Sequence, residues 1–99
     1  MTMPRIGKIT VDIEYCVPCG YQNLAAWAVS EFFQAGGTDV ALSLTPGDAG
    51  VFKVKFGDEI VWDKKAMGGK SPDIAQMKEL KAKLKNKLEA IKQTAVAAG

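Results

Sequence analysis

Histidine is absent from the 99 residues of this sequence. Histidine is the usual general base near neutral pH and the commonest metal ligand. Any general base or metal ligand in this chain must therefore be a residue of another type. The sequence also lacks any apolar run of the roughly 20 residues that a membrane-spanning helix needs. The opening residues "MTMPRIGK" lack the apolar stretch of a secretory signal. We therefore expect a cytoplasmic protein without a membrane partner.

An excess of charge of one sign is also lacking. The 13 basic and 11 acidic side chains leave a net charge of +2, which is too weak to indicate a nucleic-acid partner. The apolar share of 47% and the charged share of 24% are typical of a globular protein. A chain of this length forms one small hydrophobic core. We expect a single domain over residues 1–99, with frayed ends at residues 1–7 and 93–99.

Cysteine is scarce, and both of the 2 cysteines lie in the segment "YCVPCGY", residues 15–21. A disulfide within so short a segment closes a tiny loop and stabilises little, and the cytosol keeps such thiols reduced. A structural bridge is therefore a poor explanation. Zinc usually takes four ligands, which two cysteines without histidine do not supply. A metal site shared in a homodimer stays open as the less favoured alternative, and we expect no cofactor.

Hydrophobic periodicity predicts the secondary structure around this segment. The alternation in "KITVDIEY" predicts a strand over residues 8–15. Helical spacing follows in "YQNLAAWAVSEFFQAGG", with Trp27, Phe32 and Phe33 in the core. Three further strands are predicted in "DVALSL", "VFKVKF" and "EIVWD", and Leu44 is expected to point inward. The segment "TPGDAG" between the first two of these strands is predicted to be a loop.

A second helix is predicted from Ser71, as its N-cap, to about residue 95. Its apolar stripe consists of Ile74, Met77, Leu80, Leu84, Leu88 and Ile91. The predicted order is β-α-β-β-β-α, in which the first two strands are parallel and a hairpin at Gly57-Asp58 adds antiparallel strands. We therefore predict an α/β chain (an α+β sandwich) with a four-stranded mixed sheet covered by two helices.

Cys-x-x-Cys between a strand and a helix is typical of a thioredoxin-like redox motif. The free N–H groups and the positive dipole end of a helix favour a thiolate. We expect Cys16 near the N-cap to be the more exposed sulfur and Cys19 to lie one turn into the helix. Val17, Pro18 and Gly20 are expected to support the motif: Val17 precedes a proline, Pro18 stiffens the loop and Gly20 leaves space for a partner chain.

The segment "YCVPCGY", followed by Thr45-Pro46 and by Gly50-x-Phe52-x-Val54, resembles the selenoprotein W-like (Rdx) family of thioredoxin-like proteins. The resemblance extends from about residue 8 to about residue 92. It implies a thioredoxin-like fold and a redox role, with glutathione or a thioredoxin-like protein as the redox partner. In selenium-containing members the second motif position is selenocysteine, which implies that Cys19 is the reactive atom. The helix dipole favours Cys16 instead, and both assignments stay open.

Four further residues are candidates for a substrate groove: Tyr15, Tyr21, Thr45 and Pro46. The tyrosines flank the motif and either pack at the sheet edge or line the groove. Thioredoxin-like proteins place a cis-proline beside their cysteines, and the resemblance makes Pro46 the candidate. Most X–Pro bonds in folded proteins are nevertheless trans.

The leading functional hypothesis is a thiol–disulfide oxidoreductase that acts on protein thiols. Cys16 and Cys19 would form a reversible disulfide through a mixed-disulfide intermediate. The alternative is a redox-gated interaction module without turnover, whose partner surface is the motif rim together with the segment "KKAMGGK", residues 64–70.

Overall fold

The structure is a computed structural model that describes the backbone of residues 9–98 and the side chains of residues 9–91. The strands are β1 (Ile9–Cys16), β2 (Val40–Gly47), β3 (Phe52–Phe56) and β4 (Glu59–Asp63). The helices are α1 (Gln22–Gly36) and α2 (Ile74–Ala98), and a 3-10 turn at Gly37–Asp39 follows α1. The predicted order β-α-β-β-β-α is confirmed. The predicted fraying of residues 1–7 lies outside the described residues, and that of residues 93–99 stays a prediction.

The four strands form one mixed sheet in the order β2-β1-β3-β4. β1 runs parallel to β2, from the pair Ile9 and Val40 to the pair Cys16 and Gly47. β3 lies antiparallel to β1 and to β4. The mixed α+β architecture is therefore confirmed. Because β1 and β2 are parallel, their carboxyl ends meet at one edge of the sheet, and the cysteine motif leaves the sheet there.

The hydrophobic core lies between one face of the sheet and the two helices. On β1, Val11 and Ile13 are fully buried, as the alternating pattern predicts, because successive side chains of a strand point to opposite faces. The rings of Phe32 on α1 and Phe56 on β3 meet edge to face, with centroids 5.4 Å apart. The other buried members of this cluster are Ala25, Ala28, Phe52, Val54, Trp62, Met77, Leu80, Leu84 and Leu88.

Three apolar side chains that were expected in the core are exposed. Phe33 is 56% exposed, because a helix turns by about 100° per residue and Phe32 already faces the core. Leu44 is 48% exposed; β2 is an edge strand, and its burial falls off towards the carboxyl end. Ile74 is 72% exposed at the first position of α2. Trp27 is half-buried and packs against the core, as predicted in outline.

The N-cap of α2 is Asp73, and the prediction of Ser71 was wrong. The Gln76 N–H donates to Asp73 Oδ1 over 2.7 Å, and the Asp73 N–H donates to Gln76 Oε1 over 3.0 Å. This reciprocal pair is a capping box, which satisfies two backbone N–H groups at the start of the helix. The Asp-x-x-Gln spacing was visible in the sequence and is the signal that identifies the cap.

Candidate functional site

The two cysteines lie together in a turn between β1 and α1. Cys16 is the last residue of β1, and its sulfur is bonded to that of Cys19, with the two Cα atoms 5.3 Å apart. The Gly20 N–H donates to the Val17 carbonyl over 3.0 Å, and Gly20 has a φ of 76°. Such a positive φ interrupts helical backbone. The turn is therefore closed by local hydrogen bonds before the helix begins.

The first turn of α1 does not contain the motif, which corrects two expectations. The helix begins at Gln22 with Tyr21 as its N-cap, so Cys16 is not near the N-cap and Cys19 is not one turn into the helix. Pro18 also lies outside the helix. The reason is in the motif itself: a residue before proline is driven away from helical angles, which applies to Val17, and Gly20 adopts left-handed backbone.

The exposure of the two sulfurs is the reverse of the expectation. The side chain of Cys16 is 0% exposed, whereas Cys19 is exposed, together with Val17, Pro18 and Gly20. Cys16 ends a central strand of the sheet, and its N–H donates to the Val51 carbonyl over 2.9 Å. Cys19 lies at the far side of the turn from the strand. Solvent therefore reaches Cys19 and not Cys16.

Main-chain N–H groups point at both sulfurs. The Cys19 N–H donates to Cys16 Sγ over 3.2 Å. The Gly50 N–H donates to Cys19 Sγ over 3.3 Å, from a segment 31 residues along the chain. Hydrogen bonds to a sulfur favour its charged form. The site can thus stabilise negative charge on either sulfur without a histidine or a metal ion.

The segment "TPGDAG" is only partly a loop. Thr45, Pro46 and Gly47 continue β2 as strand and β3 begins only at Phe52, so the loop spans residues 48–51 and not the predicted residues 45–50. The Thr45 hydroxyl donates to Asp12 Oδ1 over 2.8 Å, which holds Thr45 to the neighbouring strand. Pro46 pairs in register with Tyr15, and its peptide bond is trans. The cis-proline hypothesis is therefore wrong, although Pro46 lies on the strand next to the motif.

The two tyrosines both pack against the hydrophobic core and are half-buried. Lys64 makes a cation–π contact with Tyr21, with its Nζ 5.5 Å from the centroid of the ring. That contact joins the turn after the motif to the segment of residues 64–70. Thr45 and Pro46 are exposed on β2. The four candidate groove residues thus flank the motif from two sides, and their role in binding a substrate stays a prediction.

Two contacts at the site were missed by the sequence reasoning, although residues 64–70 had been expected beside the motif rim. Gly50, which donates its N–H to Cys19, carried a recognisable signal, because aspartate at the first and glycine at the third position of a four-residue segment favour a β-turn. Lys64 carried none, since a ring–cation contact between residues 43 positions apart in sequence depends on the fold. Sequence proximity to the cysteines was therefore an incomplete guide to the site.

Other features lie away from the cysteines. A cavity of about 230 Å³ is lined by Ala35, Gly36, Asp39, Lys85, Leu88 and Glu89. Within the described part of the chain, no three or more cysteine, aspartate or glutamate side chains are grouped so that they could hold a metal ion. None of the described helices is both long and apolar enough to cross a membrane.

Comparisons with known proteins agree with this architecture. A crystal structure of a protein from Bordetella parapertussis has a TM-score of 0.63 and 26% identity, over 83% of this chain and 95% of that one. A crystal structure of a selenoprotein W-related protein from Vibrio cholerae has a TM-score of 0.69 and 24% identity, over 83% and 98%. No curated protein sequence matches significantly. The sequence matches the Rdx family over residues 10–86, and the chain therefore belongs to that family.

Proposed function

We propose that the protein exchanges disulfides with thiol partners and that Cys19 is the sulfur that partners attack. One observation carries the proposal: within the disulfide, Cys19 is exposed while Cys16 is 0% exposed. Thiol–disulfide exchange needs a sulfur that the incoming thiolate can reach. Membership of the Rdx family and the bonded cysteine pair are both consistent with a thiol redox role.

In the oxidised protein, a partner thiolate would attack Cys19 Sγ. The Cys16–Cys19 bond breaks, a bond between Cys19 and the partner sulfur forms, and the electron pair of the broken bond leaves on Cys16 as a thiolate. The Cys19 N–H, 3.2 Å from Cys16 Sγ in the disulfide, is placed to stabilise this leaving group. A second partner thiolate then releases Cys19, so that the protein gains two electrons and the partner becomes a disulfide.

The reverse direction uses the same sulfurs in the opposite order. The Cys19 thiolate attacks a partner disulfide, and one partner thiolate leaves. Cys16, whose Cα lies 5.3 Å from that of Cys19 in the disulfide, then attacks Cys19 Sγ and displaces the second partner sulfur, which restores the Cys16–Cys19 disulfide. The reduction potential decides the net direction, because for a two-electron couple about 30 mV corresponds to about 1.4 kcal/mol.

The proposed partners are glutathione, a thioredoxin-like protein or protein thiols. The rim around Cys19 supports this choice. Val17 is 40% exposed, and Pro18 and Gly20 are exposed beside it. This rim offers a small apolar side chain and open backbone next to the reactive sulfur, which suits an extended peptide better than a deep small-molecule pocket. Tyr15, Tyr21, Thr45 and Pro46 are the proposed flanks of such a groove.

Trapping of the mixed disulfide tests the assignment of the two cysteines. The variant Cys16→Ser keeps the exposed thiol and loses the resolving one, so we expect it to accumulate a stable adduct with oxidised glutathione, detected by intact mass. The variant Cys19→Ser is the matched control and should form an adduct at least about tenfold more slowly, since burial hinders its remaining thiol. Faster adduct formation by Cys19→Ser would overturn the assignment.

A redox-gated interaction module is the second candidate. The contact of Lys64 with the Tyr21 ring favours it, because a rearrangement of the motif on reduction would reach residues 64–70 directly. Turnover separates the two functions. A redox carrier oxidises many equivalents of glutathione or dithiol when an electron acceptor is supplied, whereas a gated module reacts once per chain.

A further inference from the structure

We infer that Gly50 is a positioning residue for Cys19: its main-chain N–H, aimed by a left-handed turn, stabilises the Cys19 thiolate. The inference rests on the proposed function, in which Cys19 is the attacked and attacking sulfur. The contact that motivates it joins two distant parts of the chain, since the Gly50 N–H donates to Cys19 Sγ over 3.3 Å.

The direction of this N–H depends on the type of turn. The Val51 N–H donates to the Asp48 carbonyl over 3.1 Å, which closes a four-residue β-turn with Gly50 at its third position. Gly50 has a φ of 80°, the value of a type II turn at that position. In a type I turn the third residue has a φ of about −90°, and the peptide between the second and third residues is rotated by roughly half a turn. The Gly50 N–H belongs to that peptide.

A side chain at position 50 therefore acts through the backbone. L-residues other than asparagine and aspartate rarely adopt positive φ, so they favour the type I turn, in which the N–H of residue 50 points away from Cys19. Steric obstruction is not the issue, because a Cβ at Gly50 would have nothing within 4 Å. A residue that tolerates positive φ is thus needed at position 50, because only then does its N–H bond point towards Cys19.

The same turn also contacts the other cysteine. The Cys16 N–H donates to the Val51 carbonyl over 2.9 Å, which ties the end of β1 to residues 48–51. The turn is therefore held against the motif from one side and presents its N–H to the exposed sulfur from the other. A donor fixed by such contacts is preorganised, and hydrogen bonds to a charged acceptor are about twice as strong as neutral ones.

The test compares three variants of the full-length protein in the reduced state. Gly50→Ala favours the flipped peptide, whereas Gly50→Asn keeps the type II turn, because asparagine tolerates positive φ at that position. Gly57→Ala is the control for strain alone: Gly57 also has a positive φ, of 63°, at the β3–β4 hairpin, and its Cβ would meet only Ile9 Cγ1 at 3.9 Å.

The measurement is the pH–rate profile of Cys19 alkylation, with the modified cysteine located by fragment-ion mass spectrometry. We expect Gly50→Ala to reduce the acid dissociation constant of Cys19 about tenfold, the effect of losing one charge-assisted hydrogen bond. Gly50→Asn and Gly57→Ala should keep the midpoint of the natural protein. Urea unfolding of each variant identifies any change that is due to a loss of fold.

Two results would overturn the inference: a Gly50→Ala midpoint equal to that of the natural protein, or a Gly50→Asn midpoint shifted as far as that of Gly50→Ala. Failure of the proposed function is recognised separately, by titrating the natural protein against reduced and oxidised glutathione. If the Cys16–Cys19 disulfide forms there while the variants show no shift, only the role of Gly50 fails. If no disulfide forms at any ratio, the redox function itself fails.

Discussion

Cys16 and Cys19 are close in sequence and differ most in what surrounds them. Cys16 is enclosed at the end of β1 beside Gly47, its partner on β2, while Cys19 projects from the turn and accepts a hydrogen bond from Gly50. Sequence reasoning identified the pair and its bond-forming distance. It reversed their exposure because the assumption that the helix starts at the motif placed Cys16 at a helix end.

Gly47 offers a residue-scale prediction about the packing around the site. A Cβ there would lie 2.6 Å from the Glu14 side chain and 2.6 Å from Val51 Cγ1. We expect Gly47→Ala to lower the free energy of unfolding by about 1–3 kcal/mol, the usual cost of overpacking. Urea denaturation of the natural protein and of Gly47→Ala measures this difference in the free energy of unfolding.

A double-mutant cycle separates this clash from a change in strand propensity. In a Glu14→Ala background one of the two obstructing side chains is shortened, so the cost of Gly47→Ala should shrink. An equal cost in both backgrounds would contradict the packing explanation. Both measurements are made on the oxidised protein so that the disulfide is constant.

At the scale of secondary structure elements, most errors of the sequence-based prediction concerned where a helix or strand begins or ends. The periods of 2 and 3.6 identified all four strands and both helices. The boundaries of β2, α1 and α2 were decided by hydrogen bonds instead. β2 continues through Pro46 because an edge strand tolerates a residue without an N–H, and α1 starts late because the motif forms its own turn.

The start of α2 gives a prediction at this scale. Asp73→Ala removes the side-chain acceptor for the Gln76 N–H, and loss of an N-cap of this type costs about 1 kcal/mol. Ser71→Ala is the matched control, because it lies outside the capping box and should change the free energy of unfolding by less than about 0.5 kcal/mol. Thermal or urea unfolding of both variants provides the comparison. A larger loss in Ser71→Ala would assign the cap to Ser71 after all.

Across the whole molecule, ion pairs connect elements that are distant in sequence. Glu59 on β4 forms ion pairs with two lysines of α2. Lys83 Nζ lies 2.6 Å from Glu59 Oε2, and Lys87 Nζ lies 2.5 Å from Glu59 Oε1. Lys81 on α2 pairs with Glu31 on α1 over 3.2 Å. The hydrogen bonds from Lys83 and then Lys87 lower the pKa of Glu59 from 4.5 to about 2. The pairs tie the hairpin and the first helix to the last helix.

The low pKa of Glu59 predicts a pH dependence of stability. The pKa of Glu59 in the folded protein lies below its value in the unfolded chain. The stability that Glu59 contributes through its ion pairs is therefore fully present above about pH 4.5 and is lost as the pH falls towards 2. We expect the melting temperature of the natural protein to fall more steeply over this window than that of Glu59→Gln. Both ion pairs of Glu59 are exposed, so the difference in slope between the two proteins should be small and should diminish in high salt. Parallel melting curves of the two proteins in this window would contradict it.

The sequence by itself determined the order of elements, the faces that are buried and the presence of a close cysteine pair. These depend on local periodicity and spacing, which a single chain displays. Only the tertiary structure decided which sulfur faces solvent, that the Gly50 N–H donates to Cys19 Sγ and that Lys64 lies over the Tyr21 ring. Each of these depends on contacts between residues far apart in the chain, or on competition between neighbouring hydrogen bonds, and neither leaves a periodic trace in the sequence.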